Sequence, residues 1–194
     1  MTFDILSLNV KYHASSKIVP LNFALGLQNE SKSFLDVFTN AGGSRIIKKT
    51  NEDLSDGELI TVNVRNGDDV FQRDHNNIGL IKLDVEGYEY EALLGLEKTL
   101  QKNKPLILYE QMSDEIVCGS SESIDFLLKN EYRFFTLNRS YLFSNKISNK
   151  FDRMLSYFLG YKIECRCTTH FDVMDYDLII AVPHQKENGM KSGT

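Results

Sequence analysis

The chain has 194 residues, 42% of them hydrophobic and 25% charged, and carries a formal net charge of −5. That length suits one domain with a sizeable core, the composition argues against wholesale disorder, and the negative balance disfavours a phosphate-backbone ligand, so no nucleic acid is expected as a partner. No apolar run reaches the about 18 residues of a membrane span, and Met1-Thr2-Phe3-Asp4 lacks the basic-then-apolar layout of a signal peptide, which points to a cytoplasmic protein.

In chain order, Phe3 to Tyr12 has the apolar spacing of an amphipathic helix tail that ends near Ala14-Ser15-Ser16. Ile18 to Leu25 is a strand candidate in which Pro20, having no N–H to donate, belongs near the start or on an edge. Ser33 to Phe38 alternates as a strand does, and Asn40-Ala41-Gly42-Gly43-Ser44 follows as a turn. Lys48 to Gly57 is polar throughout and predicts an exposed connection. The β-branched Ile60-Thr61-Val62-Asn63-Val64 predicts a strand, after which Asp68-Asp69 caps a short helix over Val70 to Arg73.

The most informative stretch runs from Ile78 to Leu96. Leu80, Ile81, Leu83 and Val85 predict a short central strand, while Ala92, Leu93, Leu96 and Leu100 fall on one face of a following helix. The period changes at Gly87, and Asp84 and Glu86 sit at that joint. In open α/β sheets ligands bind beyond the carboxyl ends of the strands, so both carboxylates occupy a position suited to chemistry. A structural role stands beside this, because acidic residues at a helix start cap free N–H groups and complement the helix dipole, so Asp84, Glu86 and Glu89 can also be read that way. Lys82 lies two residues before Asp84 on the same side of the strand and offers it a partner. Pro105 to Glu110 is a second apolar strand ending in a carboxylate, which makes a parallel βαβ unit.

Beyond it, Ser123 to Lys129 predicts a short helix and Tyr132 to Leu137 a strand. Asn138 to Asn149 is polar, and Phe151, Met154, Leu155, Phe158 and Leu159 show helical spacing. Tyr176 to Val182 is the last strand, closed by Pro183, and His184 to Thr194 is expected to be a disordered tail. The three cysteines, Cys118, Cys165 and Cys167, lack zinc-site spacing and are expected to be reduced core or surface thiols. The four histidines, His13, His75, His170 and His184, lie in separate polar stretches and read as surface residues, and no metal site is assigned.

Lys82-Leu83-Asp84-Val85-Glu86-Gly87, followed by Glu89, Ala92-Leu93-Leu94-Gly95 and Pro105-Leu106-Ile107-Leu108-Tyr109-Glu110, resembles the middle of the FkbM-type methyltransferase family. A weaker similarity extends back over Ile18 to Gly26 and forward to Pro183. The resemblance implies an α/β, Rossmann-like class I methyltransferase fold over residues 1–183, with a mostly parallel sheet and a terminal antiparallel strand. It implies S-adenosylmethionine as cofactor and methylation of a hydroxyl on a sugar or secondary metabolite, so a small-molecule or glycan acceptor. On it, Asp84 stands at the reacting edge and near the cofactor, Glu86 orients cofactor or substrate, Lys82 tunes Asp84, Glu110 frames the acceptor side, and Ala24 and Leu25 neighbour the adenine. The family's fold starts with a strand and a glycine-rich turn, yet no Gly-x-Gly occurs here, so the chain is expected to be truncated at its N-terminus, lacking an N-terminal half or a partner that supplies it.

Two other classes are kept open. Asp84-Val85-Glu86 also resembles the acidic pair that holds a divalent metal in glycosyltransferases, which metal dependence would reveal. Without the cofactor turn, the chain could instead be a non-catalytic remnant or binding module.

Overall fold

The computed structural model describes residues 2–13, 17–48, 54–71, 77–141 and 161–184, which build two mixed β-sheets with five α-helices among them. The first helix, α1 (Thr2–Tyr12), leaves Ile5, Leu6 and Leu8 about half exposed, so its apolar side is only partly covered among the described residues. The first sheet contains β1 (Ala24–Gly26), β2 (Glu30–Val37), β3 (Arg45–Ile46) and β4 (Gly57–Asn66) in the order β1-β4-β2-β3. Only its β1–β4 pair is parallel. The strand expected over Ile18 to Leu25 shrinks to β1, because only Ala24 to Gly26 find register partners, on Val64 to Asn66. The turn expected at Asn40 to Ser44 contains a single 3-10 turn at Ala41–Gly43.

A short helix, α2 (Gly67–Phe71), leads to the second sheet. This contains β5 (Leu80–Leu83), β6 (Leu106–Gln111), β7 (Tyr132–Tyr141), β8 (Tyr161–Thr168) and β9 (Tyr176–Pro183) in the order β5-β6-β9-β7-β8. The expected parallel pair is there, with Leu80 opposite Leu106 and Leu83 opposite Tyr109. The expected antiparallel last strand is also there, since β9 runs against β6. The sheet does not otherwise follow the expectation of mostly parallel strands: β7 pairs antiparallel with both β8 and β9. The connections explain why. Parallel neighbours need a long crossover, which α3 and α4 supply between β5 and β6; α5 lies between β6 and β7, but those two strands are not neighbours in the sheet.

Between β5 and β6 the single helix expected through Leu100 is two, α3 (Glu89–Leu94) and α4 (Glu97–Asn103), with Leu96 leaving helical geometry at φ −111°. Gly95 marks the break. A Cβ on it would overlap the carbonyl oxygen of Gly26, so the glycine lets the end of α3 press against β1. The last helix, α5 (Glu122–Lys129), turns Ile124, Phe126 and Leu127 inward and is capped by Ser121, whose hydroxyl accepts from the Ile124 amide at 3.3 Å.

Alternation along β6 and β9 buries Ile107, Tyr109, Ile179 and Ala181 against Leu93, Leu96, Leu100 and Leu127 of the helices. A second, smaller cluster of Ile46, Val64 and Tyr88 joins the first sheet to the turn that precedes α3. The carboxyl ends of β5 and β6 therefore emerge side by side from a rigid core. The amphipathic helix expected over Phe151 to Leu159 and the tail beyond His184 lie outside the described residues.

Candidate active site

β5 ends at Leu83, and the next five residues turn the chain into α3. The turn takes its shape from two consecutive left-handed residues, Glu86 at φ 52° and Gly87 at φ 85°. A left-handed glycine costs little, whereas a side-chain-bearing residue there is uncommon and strained by about 1–3 kcal/mol. Glu89 holds the turn from inside: its Oε1 accepts from the Val85 amide at 3.0 Å. Burial pushes its carboxyl pKa up, with Glu115 and Glu110 adding to the effect and its bonds to the Val85 and Glu89 amides opposing it. Of the acidic residues at this joint, Glu89 is the one that ties down the turn, through the Val85 amide, while the N-cap of α3, Tyr88, makes no side-chain cap bond.

Asp84 and Glu86 stand at the same joint, just beyond the end of β5. Ligand oxygens of Asp84, Glu86 and Glu110 all lie within 4.8 Å of one another. The parallel register of β5 and β6 brings Glu110 to the other two. Lys82 joins them as its position on β5 predicts, with Nζ 2.6 Å from Asp84 Oδ2 and both side chains half exposed. Burial raises the Glu110 pKa, and the negative charges of Glu86, Asp84, Asp177 and Asp175 raise it further. Such a set can accept a proton, attract a positively charged group, or share a hard cation of the magnesium type. All four residues singled out as catalytic in the sequence thus come together at one strand edge.

Glu86 also lines a cavity of about 510 Å³ that opens between the β3 edge, the start of α3, the end of β6 and the start of α5. Its wall is organised by Gln111, which is fully buried at the last position of β6. Gln111 Nε2 donates to Glu115 Oε2 at 2.7 Å, and Ser121 Oγ donates to Gln111 Oε1 at 2.6 Å. Lys48 Nζ lies 3.1 Å from Glu91 Oε2 and 3.8 Å from Glu115 Oε1, and sits 5.7 Å from the centre of the Tyr88 ring. Burial raises the Glu115 pKa, while Lys48 and Gln111 pull it back. These wall residues escaped sequence reasoning. A polar residue closing an inward-facing strand position, as Gln111 does after Ile107 and Tyr109, was the available signal; Lys48 gave none, reading only as the start of an exposed loop.

Ala24 and Leu25 are placed differently. Ala24 packs against the small Val64–Tyr88 cluster and Leu25 against the main core, and neither lines this cavity. Asp68 is a cap, but of α4 instead of its own helix. Its carboxylate accepts from the Lys98 amide at 2.9 Å, the Thr99 amide at 2.8 Å and the Thr99 hydroxyl at 2.7 Å. Cys118, Cys165 and Cys167 are free and exposed, and the described histidines, His13, His170 and His184, are exposed as well.

No helix among the described residues is long and apolar enough to cross a membrane. No curated protein and no solved structure matches the chain. Residues 7–163, which include every strand-end carboxylate described above, match the family described as Methyltransferase FkbM domain. With most of its length inside that match, and with the Lys82–Gly87 joint and Glu110 meeting at one edge, the chain belongs to the FkbM methyltransferase family.

Proposed function

We propose that the protein transfers a methyl group from S-adenosylmethionine to a hydroxyl oxygen of a small-molecule or glycan acceptor. The observation that carries this reading is the meeting of Asp84, Glu86 and Glu110 at the ends of two parallel strands, with Lys82 paired to Asp84. The donor set suits that cofactor, since carboxylates complement its positively charged sulfonium and amino groups, and Ala24 and Leu25 offer only apolar and backbone surface of the kind an adenine can use. The chemistry such a cofactor supplies when bound is an electrophilic methyl group on sulfur.

The chain's own tasks are then alignment and proton removal. Asp84, fixed by Lys82, faces the reacting edge, and Glu86 orients the bound groups from its left-handed turn. Glu110 takes the hydroxyl proton, a role favoured by its raised pKa, because a carboxylate that holds protons more tightly is the better base. Sugar transfer with a metal on Asp84 and Glu86 has only the clustering of the carboxylates in its favour, and a chelator that leaves turnover unchanged would dismiss it.

The test is transfer of radiolabelled methyl from S-adenosylmethionine to a panel of hydroxyl compounds. Asp84→Asn and Glu110→Gln should each lower kcat by about 100-fold or more, the usual scale of a lost acid–base group, while melting like the parent protein. Label recovered on amines or carboxyl groups instead of hydroxyls, or full activity in both variants, would overturn the proposal.

A further inference from the structure

The 510 Å³ cavity lies within the size range of small-molecule sites, about 300–1,000 Å³. It shares Glu86 with the carboxylate cluster, so a ligand in it lies next to the strand-end edge. Nothing in the mechanism above uses the rest of its wall. That wall has a definite chemical character: it carries two cations, Arg45 and Lys48, against five carboxylates. Both cations are already engaged, Arg45 Nη1 donating to the Gly43 carbonyl at 3.3 Å and Lys48 spanning Glu91 and Glu115.

Ser121 of the wall and Gln111 behind it are committed in the same way. Ser121 spends its hydrogen on Gln111, and Gln111 spends its own on Glu115 and on the Met112 carbonyl at 3.3 Å. What faces the open space is a surplus of acceptors around Glu86, Glu115 and Glu122, together with the ring of Tyr90 and the side chain of Met112. A ligand that fits has to bring hydrogen-bond donors, and one that brings negative charge meets like charge at short range.

We infer that this cavity is the acceptor site and that it selects neutral or amino-bearing polyhydroxylated rings while rejecting carboxylated and phosphorylated ones. The inference rests on the methyl-transfer reading for the word acceptor, but the selectivity follows from the wall itself. Glu115, held in place by Gln111 and Lys48, is its principal recognition group, and Tyr90 with Met112 supplies an apolar surface for the ring's C–H face. Glu86 joins recognition to chemistry, since it belongs to both the wall and the carboxylate cluster.

Three hexoses of one shape separate the possibilities: glucosamine, glucose and glucuronate, titrated into the full chain and followed by two-dimensional 1H–15N spectra. Glucosamine should bind at least about tenfold more tightly than glucuronate, the scale set by one like-charge encounter, with glucose between them. Shifted amides should include those of Tyr90, Met112 and Ser121. Glu115→Gln should narrow the spread at least about threefold as one wall charge is removed. Glu122→Gln, at an exposed rim position where folding is not at stake, should narrow it in the same direction. Equal binding of all three sugars, tighter binding of glucuronate, no binding at all, or a spread unchanged in both variants would overturn the inference. Ordered binding without methyl transfer would defeat the catalytic proposal and leave the selectivity standing; transfer to glucuronate as readily as to glucosamine would do the reverse.

Discussion

Replacing Asp68 by alanine should cost the protein more stability than any change at the exposed strand-end carboxylates, although Asp68 touches no ligand. Its side chain is 7% exposed and takes three hydrogen bonds at the start of α4, two from backbone amides and one from the Thr99 hydroxyl. Loss of a helix cap costs about 1–2 kcal/mol. The Thr99 hydroxyl, 8% exposed and deprived of its acceptor, adds about 1 kcal/mol. The total is about 2–3 kcal/mol, which for a chain of this size lowers Tm by about 4–12 °C. Asp68→Asn keeps one acceptor oxygen and should lose about half as much. The assay is thermal unfolding followed by circular dichroism, with urea titration as a second measure. A Tm drop under about 2 °C for Asp68→Ala, or equal losses for the two variants, would refute the claim that this carboxylate anchors α4.

Gly95→Ala should be destabilising by about 1–3 kcal/mol or more, the range for overpacking a tight site, because the new Cβ overlaps the Gly26 carbonyl; an unchanged urea midpoint would show that α3 can move away from β1. Lys82→Met should change stability by no more than about 1 kcal/mol, since its ion pair with Asp84 is half exposed, yet should lower methyl transfer several-fold by releasing Asp84, and a variant that loses stability instead would make Lys82 structural. The carboxyls of Glu89, Glu110 and Glu115 all have pKa values raised above their ordinary 4.5. Each binds its proton more tightly folded than unfolded, so its stabilising share is full below about pH 4.5 and is lost as the pH rises through the raised value. The urea midpoint of Glu110→Gln should therefore fall less than that of the parent protein between about pH 4.5 and neutrality, and parallel curves would contradict the electrostatic account.

Much of the site was legible because it depends on short-range rules. Period-two geometry put Lys82 beside Asp84, and a strand followed by a helix put Asp84 and Glu86 at a carboxyl end. The register of two parallel strands then brought Glu110 to them. What escaped depends on contacts between distant segments. Nothing near Lys48 announces that it will span Glu91 and Glu115, and nothing near Asp68 announces that its carboxylate will serve amides 30 and 31 residues away. The sheet was misjudged for a related reason. Strand direction is set by what connects the strands, and β2 and β4 fold back on each other over eight residue pairs, from Glu30 opposite Val64 to Val37 opposite Gly57, with no helix among the described residues between them of the length that a parallel crossover needs. The break at Gly95 was hidden as well, since Ala92, Leu93, Leu96 and Leu100 keep helical spacing across it and the interruption serves a contact with β1.

The left-handed backbone at Glu86 restricts which variants selection can sample there. Residues that tolerate φ near 50° are few, with glycine, asparagine and aspartate foremost, and β-branched residues are nearly barred. A library randomised at this codon should therefore lose valine, isoleucine and threonine during sorting for folded protein, before any demand for activity is applied. Replacements that survive that sort but carry no charge, glycine and asparagine among them, would keep the turn while taking the carboxylate away. Comparing their turnover with that of the parent would separate what the backbone contributes from what the charge contributes at one position, a separation that few sites offer.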